Sequence, residues 1–166
     1  ASLEEAERCI CFASGMAATT ALLFSLLEPG DQLVISDTNY PGTAELARTS
    51  LPRLGVEVVT VDSSQLTKVE AAVSSKTRLV WIETPANPIL RLSDVSAIAD
   101  IAHRAGAELA VDSTFASPIA TRPLTLGADY VVHSLTKYIG GHGDAMGGAV
   151  LGTTKAMEPV ESEGLI

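Results

Sequence analysis

The chain has 166 residues, a net charge of −9, and 46% apolar against 19% charged residues. This length can bury the core of one domain, and this composition excludes a disordered or collagen-like polypeptide. The acidic charge argues against nucleic acid or an anionic membrane as a partner, and no apolar run reaches the roughly 20 residues of a membrane span. We interpret Cys9 and Cys11 as reduced core thiols on one face of a strand, in a cytoplasmic protein.

Strand-like and helix-like segments alternate along the chain. The pattern predicts helices at 1–8, 16–27, 42–51, 65–73 and 93–105, the last capped by Ser93 and closed by Gly106. Apolar runs predict strands at 9–13, 33–35, 56–61, 79–83, 109–112, 130–132 and 145–151. Because these runs are continuous rather than alternating, we expect an α/β fold with a mostly parallel sheet covered on both faces. No linker interrupts the pattern, so we expect residues 1–166 to form one domain.

Polar residues interrupt the pattern where strands end. Ser14-Gly15-Met16 follows the first strand and starts a helix, where free amides bind phosphate and Gly15 allows close approach. An ordinary tight turn is the alternative there. Tyr40, after the second strand, could stack on a flat ring or simply pack against its neighbours. Asn87 lies between two prolines, where rigid spacing suits a hydrogen bond to a ligand oxygen but also makes a turn.

Asp112 ends an apolar strand, and a buried carboxylate there is costly unless it is paired. A pyridinium nitrogen would pair it, although a capping aspartate is the alternative. Lys137 follows the strand 130–132 and is flanked by Ser134 and Thr136 before a glycine-rich stretch. This pattern favours an imine-forming lysine beside a phosphate, and pyridoxal phosphate (PLP) carries both an aldehyde and a phosphate. A solvated lysine in a flexible loop is the alternative.

Histidines do not change this interpretation. His133, His142 and Asp144 match no metal-ligand spacing, so we expect no metal site.

Five segments together resemble one family. They are FASGMAA (12–18), YPGT (40–43), IETPANP (82–88), VDSTFASP (111–118) and HSLTKYIGGHGD (133–144). The resemblance is to the PLP-dependent enzymes of cysteine and methionine metabolism, which include cystathionine γ-synthase, cystathionine γ- and β-lyases, methionine γ-lyase and the homoserine sulfhydrylases. It implies the large domain of the aspartate-aminotransferase-like fold (fold type I), an α/β/α sandwich.

The resemblance also implies roles for individual residues. Lys137 would hold PLP as an imine and act as a base, and Asp112 would pair with the pyridine nitrogen. Tyr40 would stack on the ring and serve as an acid towards the leaving group. The phosphate would lie against the Gly15 and Met16 amides and the Ser134 and Thr136 hydroxyls. Asn87 would lie near the phenolic oxygen and Thr114 close to the ring.

The activity that the resemblance implies is γ-elimination or γ-replacement on sulfur-containing amino acids or activated homoserine, as in cystathionine γ-synthase or γ-lyase. Methionine γ-lyase and O-acetylhomoserine sulfhydrylase are alternatives, the former disfavoured by Thr43 where a cysteine is usual. A non-catalytic nucleotide- or phosphate-binding domain is a further alternative, but no Gly-x-Gly-x-x-Gly follows the first strand. The resemblance further implies a homotetramer with shared active sites, and by comparison with the family we expect a chain that lacks an N-terminal arm and a smaller C-terminal domain.

Overall fold

A seven-stranded sheet forms the centre of the computed structural model, which describes residues 1–164. Its strands lie in the order β1-β7-β6-β5-β4-β2-β3. Their bounds are β1 (Arg8–Phe12), β2 (Gln32–Ser36), β3 (Glu57–Val61), β4 (Thr77–Glu83), β5 (Glu108–Asp112), β6 (Tyr130–Ser134) and β7 (Gly148–Gly152). Among the described strands, β7 alone runs in the opposite direction to the others, so the predicted, mostly parallel sheet is confirmed.

Helices cover both faces of the sheet. They are α1 (Gly15–Leu26), α2 (Pro41–Glu45), α3 (Leu51–Arg53), α4 (Leu66–Ala72), α5 (Val95–Arg104), α6 (Ser117–Ala120) and α7 (Thr154–Gly164). One apolar core joins α1 and α7 to the sheet and contains the buried side chains Leu22, Trp81 and Met157. A second core, on the other face, joins α5 to the sheet through Ile98 and Val111. The predicted α/β/α layering is therefore confirmed.

The start of the chain does not form the predicted helix 1–8. Ser2–Glu4 is a single 3-10 turn that ends at Glu5, whose backbone is left-handed with φ 58°. Glu4 is buried, and its Oε1 lies 2.5 Å from Nε2 of His133, which is buried as well. This pairing with β6 fixes the turn against the sheet, and Arg8 already belongs to β1. A contact between distant residues thus replaces the local helical preference.

Two other local predictions differ in detail from the structure. Asp94, not Ser93, caps α5: its side chain accepts a hydrogen bond from Ala97 N at 3.0 Å, while the hydroxyl of Ser93 bonds to that of Ser63. The helix predicted at 42–51 runs from Pro41 to Arg53, and its middle is a π-helical turn (Leu46–Ser50) that was not predicted.

Other elements, and the burial of the two cysteines, also differ from the prediction. The last strand begins at Gly148 rather than at residue 145, and the helices α6 and α7 were not predicted. Cys9 and Cys11 are not both core thiols, since Cys11 is exposed and Cys9 only partly buried. The reason is that β1 is an edge strand, paired to β7 alone among the described strands.

Gly148 provides a test of the packing between β7 and the start of α1. A Cβ at this position would lie 2.1 Å from the carbonyl oxygen of Ser14. We expect Gly148→Ala to lower the free energy of unfolding by about 1–3 kcal/mol, because a backbone contact cannot move aside. Gly143→Ala is the matched control, since a Cβ there meets nothing within 4 Å. Urea unfolding of both variants measures the difference, and equal stability would contradict the packing described here.

Candidate functional site

An open cavity of about 770 Å³ lies where β4, β5 and β6 end. All the residues that the sequence singled out line it: Gly15, Met16, Tyr40, Asn87, Asp112, Thr114, Ser134, Thr136 and Lys137. Open α/β sheets bind ligands at this edge, outside the carboxyl ends of the strands. The structure therefore brings these side chains to one place, whereas their individual roles stay predictions.

The start of α1 forms one corner of the cavity. Ser14 caps the helix, because its hydroxyl accepts from Ala17 N at 3.1 Å and its carbonyl from Ala18 N. The amides of Gly15 and Met16 have no partner within the helix, since the first N–H groups of any helix lack one. A Cβ on Gly15 would lie 2.7 Å from Cβ of Ser134, so only glycine lets α1 begin against that serine. Two amides and a hydroxyl therefore face an anion-binding corner.

Asp112 lies at the base of the cavity and is 9% exposed. Its Oδ1 accepts a hydrogen bond from Thr114 N at 3.0 Å, and Oγ1 of Thr114 accepts one from Ser134 N at 2.8 Å. Burial raises the pKa of the Asp112 carboxyl above its usual value, and the hydrogen bonds from Thr114 oppose this shift. Within residues 1–164 it forms no ion pair with a cationic side chain. A pyridinium nitrogen fits such a carboxylate.

Lys137 and Thr136 lie on the loop after β6. The side chain of Lys137 is exposed to the cavity, and its amine has no hydrogen-bond partner in the described part of the chain. The Thr136 hydroxyl is engaged differently from what we expected: it donates to Gly147 O at 3.2 Å and accepts from Gly147 N at 3.1 Å. A hydroxyl carries a single hydrogen, so this threonine could donate to a phosphate only by giving up its bond to Gly147.

Sequence reasoning missed Glu83, the last residue of β4, which also lines the cavity. Its Oε2 accepts from Tyr40 N at 2.6 Å and its Oε1 from Asn87 N at 3.0 Å. Burial first, and then the nearby Asp112 charge, raise the pKa of Glu83 to about 7, while the hydrogen bonds from Asn87 and Tyr40 act in the opposite direction. The sequence did carry a signal for this residue: Glu83 is an acidic residue at the end of an apolar strand, as Asp112 is.

The open side of the cavity is apolar and was also missed. Phe115 and Tyr138 meet edge to face, with ring centroids 5.4 Å apart and planes at 72°. Met146, 76% exposed, lies on the same side. Such aromatic and apolar side chains at a cavity mouth suit either a substrate or another protein surface.

Metal and membrane sites receive no support. No three potential metal ligands come together anywhere in residues 1–164. In the same part of the chain, no helix combines the length and the apolar character needed to cross a membrane.

The fold and the site define an α/β enzyme domain with a ligand cavity at the carboxyl edge of its sheet. Residues 1–163 match the family described as Cys/Met metabolism PLP-dependent enzyme. The match covers almost the whole chain, and the chain belongs to this family, whose cofactor is PLP. The resemblance inferred from the five sequence segments is thereby confirmed.

Individual relatives agree with this assignment. The chain is 44% identical to a canavanine γ-lyase of Rhizobium leguminosarum, over 100% of this chain and 42% of that protein. It is 46% identical to a cystathionine γ-lyase of Bacillus subtilis, over 93% and 41%, and 47% identical to a cystathionine γ-synthase of Mycobacterium tuberculosis, over 91% and 39%. The crystal structure of metB from Corynebacterium glutamicum superposes with a TM-score of 0.94 at 44% identity, covering 98% of this chain and 43% of that one. The chain thus spans about two fifths of the length of these relatives.

The raised pKa of Glu83 predicts how the stability of the protein depends on pH. This pKa is about 7 in the folded protein, above the 4.5 of an ordinary glutamate, so the folded state holds the proton more tightly than the unfolded chain. The stability due to this proton is full below about pH 4.5 and is lost as the pH rises through about 7. Glu83→Gln cannot lose this proton. Between pH 5 and pH 8, the free energy of unfolding of the variant should therefore rise by about 1–3 kcal/mol relative to that of wild type.

Thermal unfolding of the cofactor-free proteins across this range measures the difference. Glu28→Gln, at an exposed position, is the control and should keep the wild-type dependence on pH. A difference between Glu83→Gln and wild type that does not vary with pH would contradict the raised pKa.

Proposed function

We propose that the protein is a PLP-dependent lyase or transferase that removes or replaces the γ-substituent of a sulfur-containing amino acid or an activated homoserine. The observation that carries the proposal is the meeting of Lys137, Asp112 and the Gly15–Met16 amides around one cavity. Relatives named cystathionine γ-lyase, cystathionine γ-synthase and canavanine γ-lyase support chemistry at a γ-carbon.

The residues of the cavity would divide the work of holding the cofactor. Lys137 would bind the aldehyde carbon through its amine. The Gly15 and Met16 amides and the Ser134 hydroxyl would hold the phosphate. Asp112 would keep the ring nitrogen protonated, helped by the hydrogen bond from Thr114 that orients its carboxylate.

Proton transfers would fall to two side chains. When bound, PLP supplies an electron sink for the carbanion that forms as the substrate loses its α-proton. Lys137, once released as a neutral amine, would take that proton as a general base. Tyr40, which lines the same cavity and is 48% exposed, would act as the acid towards the leaving group. Asn87 would orient the ring by a hydrogen bond from its side-chain amide. Thr136 holds the loop between β6 and β7 through its two hydrogen bonds with Gly147.

We also propose that residues 1–166 are the large, cofactor-binding domain of a cytoplasmic homotetramer. Exposed apolar side chains support assembly: Tyr138 and Met146, which line the cavity, are 60% and 76% exposed, and Ile119 on α6 is 91% exposed. A surface of this kind marks a contact with another protein surface more often than a face left in water. The free thiols of Cys9 and Cys11 support a reducing compartment.

The test of the catalytic proposal is covalent capture at Lys137. The purified protein is incubated with PLP, reduced with borohydride, digested and analysed by mass spectrometry. We expect one cofactor per chain, on the peptide that contains Lys137, because reduction fixes the bond between its amine and the aldehyde. Lys137→Ala should lose this label and all turnover of cystathionine, whereas Lys155→Ala, at an exposed position of α7, should keep both. Labelling that survives in Lys137→Ala would overturn the assignment.

Assembly is tested by light scattering of the purified protein. We expect four copies in the particle, related by two-fold symmetry. Ile119→Glu should yield smaller particles, since a charge would enter an apolar contact. Leu54→Glu, at an exposed apolar position beyond α3, should not change the mass. A monomeric wild-type protein would contradict the proposal.

A further inference from the structure

Glu83 holds two separate segments of the cavity wall by their backbones. One carboxylate oxygen accepts a hydrogen bond from the backbone N–H of Tyr40, the residue before α2. The other accepts one from the backbone N–H of Asn87, in the loop after β4. The two segments are joined to the end of β4 by one side chain that is 7% exposed. Tyr40 and Asn87 are also the residues expected to contact the ring and its oxygen.

A carboxylate is an expensive choice for this position. Burying an ionised group is unfavourable unless partners compensate, and the β4–β5 register places Glu83 directly beside Asp112, a second buried carboxylate. Asp37, which follows β2, is already paired with Arg91. The basic side chains that line the cavity, Lys137 and His142, reach it from the loop after β6.

Packing alone does not require the charge. A glutamine has the same shape and would avoid the cost of burial. It differs in its hydrogen bonds, because it offers one acceptor oxygen and one NH₂ donor in place of two acceptor oxygens. With glutamine, one of the two backbone amides would face another donor.

We propose that Glu83 is a positioning residue, whose ionised carboxylate fixes Tyr40 and Asn87 relative to each other across the cavity at the expense of stability. The role rests on the proposed function, because the placement of these two side chains matters if they face the cofactor. Both hydrogen bonds join groups of this chain alone, so the arrangement of the wall needs no contact from the cofactor. The raised pKa of Glu83 supports this inference, since it measures the cost of keeping the charge.

Hydrogen exchange of the cofactor-free protein at pH 8 tests the proposal. We expect Glu83→Gln to lose protection at one of the two amides, Tyr40 or Asn87, by about ten- to a hundredfold, the usual worth of a hydrogen bond to a charged group. Glu83→Ala should lose protection at both. Glu28→Gln is the matched control and should retain the wild-type pattern.

Cofactor titration gives the second measurement. Glu83→Gln should bind PLP about tenfold or more weakly than wild type at pH 8, although its melting temperature is equal or higher. A purely structural role predicts the reverse, namely a lower melting temperature and an unchanged affinity. Wild-type protection at both amides in Glu83→Gln, or unchanged affinity in a protein that binds PLP, would overturn the proposal.

The two proposals fail separately. If wild-type protein does not bind PLP, the proposed function is wrong, yet exchange at Tyr40 and Asn87 still decides whether Glu83 holds both segments. If PLP is captured at Lys137 but exchange is unaffected by Glu83→Gln, the function stands and the positioning role fails.

Discussion

Three neighbouring parallel strands end together, and their hydrogen-bonded register decides which side chains meet in the cavity. Glu83 on β4 lies beside Asp112 on β5, and Asp112 lies beside Val132 on β6, two residues before Ser134. Side chains alternate between the faces of a sheet, so a slip of one residue would turn Asp112 into the apolar core under α5. The anion-binding corner depends on the same register, because α1 begins against Ser134. The ladder of main-chain bonds thus places both the start of α1 beside Ser134 and the two carboxylates.

The two buried carboxylates make this arrangement electrostatically unfavourable. Burial raises the pKa of Asp112 and of Glu83. The nearby Asp112 charge raises the pKa of Glu83 further. The third buried acid of residues 1–164, Glu4, has a histidine partner, because its Oε1 lies against Nε2 of His133. Functional sites often depart from the most stable choice of residue, and the rest of the fold compensates. Here the apolar cores on both faces of the sheet provide that compensation, and a cationic ligand would relieve the charge on Asp112.

The sequence predicted most of the strands and the cavity because both depend on local patterns. Apolar runs define strands, and the topology of a parallel sheet brings their polar ends to one edge, so Lys137, Asp112 and Gly15 could be placed together before any coordinates. The failures involve distant partners. The turn at Glu4 depends on His133, which lies 129 residues away. The role of Glu83 depends on Tyr40, 43 residues away. The antiparallel direction of β7 is likewise invisible in its apolar run, since only its neighbours define it.

The loop between β6 and β7, residues 135–147, combines a fixed backbone with a free side chain at Lys137. β6 and β7 pair antiparallel, with Ser134 opposite Gly148, so both ends of the loop are anchored to the sheet. Within the loop, the Lys137 amide donates to Ser134 O and its carbonyl accepts from Gly141 N at 2.8 Å. The amine of the same residue extends into the open cavity. The role proposed for Lys137, to bind a cofactor, release it and then move a proton, needs both properties. The backbone bonds would keep the amine within reach of the cofactor, and the exposed, flexible stem would let it change partners without disturbing the fold.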